Sequence, residues 1–164
     1  RSQFGSISQQ VATSAHCSVR VARERNVSRN EPIRILLAHD GSSDSDRAFD
    51  VLLHRNWPPH TKVWIATAIG VNATVEDDEE EHGRMATLHD NLMTRLHEKG
   101  LSGSSIVDAM DPRYTILVNA RELDVDCIVM GARGLTPFER TLLGSTSASV
   151  AARASCSVEI VRKR

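Results

Sequence analysis

The chain has 164 residues, with 20 basic and 21 acidic side chains and a formal charge of -1. That length suits one domain, and the balanced charge excludes a general pull toward nucleic acid or anionic lipid. No apolar run approaches the roughly 18 residues of a membrane span, so neither a nucleic-acid nor a membrane partner is expected.

The opening Arg1-Ser2-Gln3-Phe4 has no charged-then-apolar signal segment and no initiator Met, and reads as the start of a processed or truncated chain. Shifted by 139 positions, residues 1–23 align without a gap on residues 140–162. Arg1, Gly5, Ser6, Ser8, Val11, Ala12, Ala15, Cys17, Ser18, Val19 and Arg23 each meet an identical residue. The expected organisation is therefore the C-terminal helix and strand of a preceding repeat over 1–23, a polar linker over 24–31, and one complete repeat over 32–164. The three cysteines, Cys17, Cys127 and Cys156, suit neither a disulfide framework nor a zinc site. Their neighbours suit small buried hydrophobes in a reducing compartment, hence a cytoplasmic address.

Along the complete repeat, Ile33–His39 reads as the first strand, its nearly continuous apolar run fitting a strand buried on both faces. Ser43 with Asp46 resembles a capping box opening a helix whose inner face carries Ala48, Val51 and Leu52. Trp57 with Pro58-Pro59 closes that helix. Lys62–Ile69 is the second strand. The acidic run Glu76 to Glu81 reads as a solvated loop feeding the second helix rather than a metal site. On that helix Met85, Leu88, Leu92 and Leu96 face inward and Gly100 stops it; His82, His89 and His97 are expected at the surface. Ser105–Met110 is the third strand, and Asp111-Pro112 an N-cap with Pro at the first helical position, followed by Ile116, Ala120 and Leu123 on the inner face. Cys127–Met130 and Cys156–Val161 complete five strands, with Ser147, Val150, Ala151 and Ala154 on the helix between them. Glu159 alternates with apolar neighbours as on an exposed edge strand.

Alternating strands and helices call for an α/β fold, a five-stranded parallel sheet with helices on both faces. Ligands in such sheets bind beyond the carboxyl ends of the strands, where the strand order switches. Asp40 and Gly131 end the first and fourth strands and belong at that crevice. After the fourth strand comes Gly131-Ala132-Arg133-Gly134, nine residues, then Gly144-Ser145-Thr146-Ser147. Glycines let backbone approach a bulky anion, and the second cluster opens a helix, where free N–H groups and the dipole favour phosphate. Ser145 and Ser147 offer hydroxyl donors and Arg133 a fixed positive charge.

The spacing Gly-x2-Gly-x9-Gly-Ser resembles the ATP-binding signature of the universal stress protein family. Ala38-His39-Asp40-Gly41-Ser42 resembles that family's first strand end, Asp111-Pro112 its third helix start, and Asp126 to Gly134 its fourth-strand block. The resemblance implies a Rossmann-like adenine-nucleotide-binding fold with strand order 3-2-1-4-5. It also implies an ATP site in which Ala38, His39, Asp40, Gly41, Ser42 and Ala68 contact the adenosine part. Met130, Gly131, Arg133 and Gly134 border ribose and phosphates, Gly144, Ser145, Thr146 and Ser147 hold the phosphate chain, and Mg2+ rides on phosphate oxygens. Pairing through the fifth-strand edge, as a homodimer or with the N-terminal tail strand, is a further implication. The chain departs from the family pattern at Met110, where a Gly is common, and at Pro137, Phe138 and Glu139 between the glycine clusters.

The function expected is an ATP-binding regulatory stress-response protein in which occupancy modulates conformation or association, with at most weak hydrolysis. No residue stands out as catalytic, and no Walker-type sequence is present. An ATP-consuming enzyme is the alternative: Asp40-Gly41-Ser42-Ser43-Asp44-Ser45 partly resembles the Ser-Gly-Gly-x-Asp-Ser loop of pyrophosphate-releasing synthetases, without its leading Ser and second Gly. A third reading is an association module that has lost nucleotide. Gly5-Ser6 lacks an upstream Gly-x2-Gly, so one ATP is expected, not two.

Overall fold

In the computed structural model, residues 5–24, 32–70, 75–135 and 143–163 are described. The elements in chain order are α1 (Ser6–Ser14), β1 (Val19–Val21), β2 (Arg34–Ala38), α2 (Ser43–Leu53), β3 (Lys62–Ala68), α3 (Val75–Glu98), β4 (Ser102–Asp108), α4 (Pro112–Glu122), β5 (Cys127–Gly131), α5 (Ser145–Arg153) and β6 (Ser157–Val161).

The strands form a six-stranded sheet in the order β1-β6-β5-β2-β3-β4. The five strands β2 to β6 follow the expected 3-2-1-4-5 order, and their four pairings are parallel. The expectation of a purely parallel five-stranded sheet is corrected: β1, from the repeated N-terminal segment, adds a sixth strand antiparallel to β6. The reason is the edge itself. An uncovered β6 would leave a row of backbone donors and acceptors unpaired, and the tail satisfies them.

Period-2 alternation sorts the central strands between two cores. On one face Ile35, Leu37, Val63, Ile65 and Val129 pack against Phe49 and Leu52 of α2 and Leu92 and Leu96 of α3. On the other, Leu36, Ile128, Met130, Val158 and Ile160 pack against Ile116 of α4 and Val150 and Ala151 of α5, with Ala12 of α1 joining them. Every residue of β2 from Ile35 to Ala38 is buried, as a strand covered on both faces requires.

Helix ends follow their cap residues. Asp111 caps α4, its carboxylate accepting the N–H groups of Arg113 and Tyr114, with Pro112 at the first position. The α2 cap is Ser42, one residue before the expected box, with Oγ accepting the Ser45 N–H at 3.3 Å. Asp46 is drawn instead to His39, whose Nε2 lies 3.2 Å from Oδ1. Trp57 Nε1 donates to Leu52 O at 2.8 Å, closing α2. Gly100 follows α3 at φ +72°, a left-handed value suited to glycine.

Five other expectations are corrected. The acidic run from position 76 lies within α3, not in a loop before it. The third strand of the repeat starts at Ser102, because Ser102–Asp108 pairs in register with Lys62–Ala68. Cys127 and Cys156 are buried, but Cys17 is exposed. Glu159 is 4% exposed, because β1 covers its edge and both its carboxylate oxygens take the Arg55 guanidinium. His89 is 1% exposed, not a surface residue. Thr67 Oγ1 donates to His39 O, so His89 Nε2–H donates to Thr67 at 2.8 Å and Nδ1 accepts from Ser105 Oγ at 2.5 Å. Burial, with His39 nearby, holds the His89 pKa down to about 4; a neutral ring fits that bonding pattern.

Candidate nucleotide site

Beyond the carboxyl ends of β2, β3 and β5 opens a cavity of about 690 Å³, within the roughly 300–1,000 Å³ of small-molecule sites. It lies where β2 pairs with β3 on one side and β5 on the other, the switch in strand order. Ala38, His39, Asp40, Ala68, Met130, Gly131, Arg133, Gly134, Gly144, Ser145, Thr146 and Ser147 line it. Gly41 and Ser42 do not. They turn the chain from β2 into α2, Gly41 at φ +80° and Ser42 as the α2 cap. The wall also includes Ser45, Ala66, Pro112, Ile116, Leu135 and Leu143, none of them expected from the sequence. Ala66 had a readable signal, being two residues before Ala68 on the same strand face. Ile116 had one too, a helical turn after Pro112. Met110 is half exposed and is not on the wall. Pro137, Phe138 and Glu139 lie outside the described residues.

The site is held together by its two loops. Asp40 accepts the Ser42 N–H with Oδ1 at 3.0 Å and the Leu135 N–H with Oδ2 at 3.2 Å. A Cβ on Gly134 would stand 2.5 Å from Asp40 Oδ2, so glycine there permits the approach. A Cβ on Gly131 would stand 2.6 Å from the carbonyl carbon of Asp44, so that glycine serves the packing of α2 against β5. Gly144 N–H donates to Ala132 O at 2.8 Å, closing the second cluster onto the first.

Its polar end is α5. Gly144 is the N-cap and no side chain caps the helix, whereas Ser42 and Asp111 cap α2 and α4. Among the described residues no cap partner takes the first-turn N–H groups of α5, and Gly144 to Ser147 line the cavity at the positive end of the helix dipole. Ser147 is not a free donor: its Oγ–H is spent on Gly131 O at 2.9 Å, and the residue is buried. Arg133 borders the cavity with Nε 3.5 Å from Asp44 Oδ2, while Asp44 takes Arg47 at 2.6 Å on its other oxygen. Ala38, Ala66, Ala68 and Met130 at the strand ends, with Pro112 and Ile116 of α4, form an apolar wall. Among the described residues no group of three or more His, Cys, Asp or Glu is placed to hold a metal ion, and no helix is long and apolar enough to cross a membrane.

The sequence model described as the universal stress protein family matches residues 33–162. The chain is 28% identical over 146 residues to the universal stress protein YxiE of Bacillus subtilis, a match covering 79% of this chain and 98% of that protein. Its fold is similar to that of a universal stress protein family member of Arabidopsis thaliana solved with AMP bound. That match has a TM-score of 0.60 and 22% identity, and covers 81% of this chain and 93% of the other. A universal stress protein of Archaeoglobus fulgidus matches with a TM-score of 0.65 and 21% identity, over 98% of this chain and 55% of its own.

Proposed function

From the premise that the chain belongs to the universal stress protein family, we propose that the cavity binds ATP and that occupancy regulates the protein's conformation or association. The observation that carries this reading is the contrast between the two ends of the cavity. An apolar wall from the strand ends and the start of α4 suits a planar base, and the α5 N-terminus with Arg133 near it suits phosphates. Asp40, Gly41 and Ser42 form the adenosine-side loop, with Asp40 on the wall and the other two setting its position. Gly131, Arg133 and Gly134 border ribose and phosphates; Ser145 and Thr146 hold the phosphate chain through backbone N–H groups. Ser147 supports them by fixing Gly131. Mg2+ rides on phosphate oxygens, which suits its preference for oxygen ligands and retained water. The relative with bound AMP lends support from the same fold.

Residues 1–23 are read as the end of a preceding repeat, in keeping with the identities at the 139-residue shift and the docking of β1. The protein is read as cytoplasmic, in keeping with two buried free thiols. Hydrolysis is slow in this reading, because among the described residues no side chain stands as a positioned base over the α5 N-terminus. Photolabelling with an azido-ATP, followed by peptide mapping, tests the assignment. Labels on peptides spanning 38–45 and 130–147 support it, and labels elsewhere overturn it.

A further inference from the structure

The N-terminal segment docks on the end of the chain with reciprocal contacts. Arg23 N–H donates to Ser157 Oγ at 3.1 Å, and Arg162 N–H donates to Ser18 Oγ at 3.1 Å. Arg23 Nη1 donates to Cys156 O at 3.3 Å, and Arg162 Nη1 to Cys17 O at 3.2 Å. Arg23 Nη2 reaches Ala151 O, and Arg162 Nη2 reaches Ala12 O. Each pair is one contact seen twice through the 139-residue shift. The strand register obeys the same rule: Val19↔Ile160 is the counterpart of Val21↔Val158, and Arg20↔Glu159 maps onto itself. The interface therefore has an approximate two-fold axis through the Arg20–Glu159 pair.

This symmetry has a consequence for partner choice. A second copy's β6 laid on β6 in this register would reproduce the arginine clamps with its own Arg162 and keep aliphatic residues, its own Val158 and Ile160, at the two flanking pairs. Only the axial pair would change in kind, from Arg opposite Glu to Glu159 opposite Glu159. Like charges directly opposite on a strand pair are destabilising. Glu159 is buried, where screening by water and salt is weak. Arg20, Arg55 and Glu159 line one cleft, so at the axial position the tail puts an arginine, not a second carboxylate, opposite the glutamate that Arg55 holds.

We propose that the β6 edge is a selective dock, taking a strand of the β1 type with arginine at the axial position in preference to the β6 edge of a second copy. Arg20 and Glu159 are the specificity-determining pair, and the remainder of the interface is self-complementary. The inference does not depend on the nucleotide reading.

Three full-length variants test it by hydrogen exchange of the Val19–Val21 and Val158–Ile160 amides, with mass by sedimentation. Arg20→Glu should lower β1 protection roughly tenfold or more, and Arg20→Gln by less. Val19→Asp, which unseats the tail without touching the axial pair, should leave the chain monomeric with its β6 amides exchanging freely. Equal β1 protection in the wild type, Arg20→Glu and Arg20→Gln would overturn the proposal. So would a Val19→Asp chain that dimerises with its β6 amides protected.

Discussion

Asp40 Oδ2 accepts the Leu135 N–H at 3.2 Å across Gly134, whose missing side chain leaves room for that carboxylate. This single contact joins the loop after β2 to the loop after β5 and sets the mouth of the cavity. The two glycines of the first cluster are therefore not equivalent. Gly134→Ala meets a side-chain oxygen and should shift the loop, weakening ATP about tenfold with little loss of stability. Gly131→Ala meets the Asp44 backbone and should cost about 1–3 kcal/mol in stability. Urea denaturation beside ATP titration separates the two outcomes.

Among the described residues Arg133 is the arginine that borders the cavity, its Nε 3.5 Å from Asp44 Oδ2. Replacing it with Gln should reduce affinity for ATP about fivefold while leaving adenosine binding unchanged, and the difference should shrink at high salt. Competitive titration with the two ligands at two ionic strengths checks this.

The buried His89 makes stability depend on pH. Its folded pKa is about 4, lowered mainly by burial, against about 6.5 in an unfolded chain. Between those values the unfolded chain binds a proton that the folded chain refuses. Stability from this group is complete above pH about 6.5 and is lost as pH falls toward 4, by about 3 kcal/mol. Burial also lowers His39, against the opposing pull of Asp46 and Asp40, and adds in the same direction. Denaturation midpoints measured from pH 7 to pH 4 should fall steeply in the wild type and less steeply in His89→Gln.

Arg55 holds the buried Glu159 with both oxygens engaged. Arg55→Ala leaves a buried carboxylate without that partner and should destabilise by about 2–3 kcal/mol, the exposure of Arg55 reducing the full cost. Thermal denaturation at pH 7 measures it.

Much of this was readable along the chain because it is local. The continuous run Ile35-Leu36-Leu37-Ala38 marks a central strand, Asp111-Pro112 marks a helix start, and Gly131, Gly134 and Gly144 mark turns at strand ends. The repeat even located the extra strand, since β1 is a copy of β6. What escaped depends on distant partners. His89 looks like a surface residue until Thr67 and Ser105 are brought to it from two strands. Glu159 looks like an edge residue until Arg55 and the tail close over it. Ser147 looks like a phosphate donor until Gly131 O claims its hydroxyl. Ser42 and Ser43 are equally good caps on paper, and the pull of His39 on Asp46 removes the capping-box alternative.

One adenine nucleotide is proposed to occupy the cavity between the β2, β3 and β5 ends and the α5 N-terminus. Isothermal titration of the full chain with ATP and Mg2+ tests it most directly. Saturable heat at one nucleotide per chain, bound in this cavity, is the expected result. No heat and no thermal shift at millimolar ATP, or two nucleotides per chain, would contradict it.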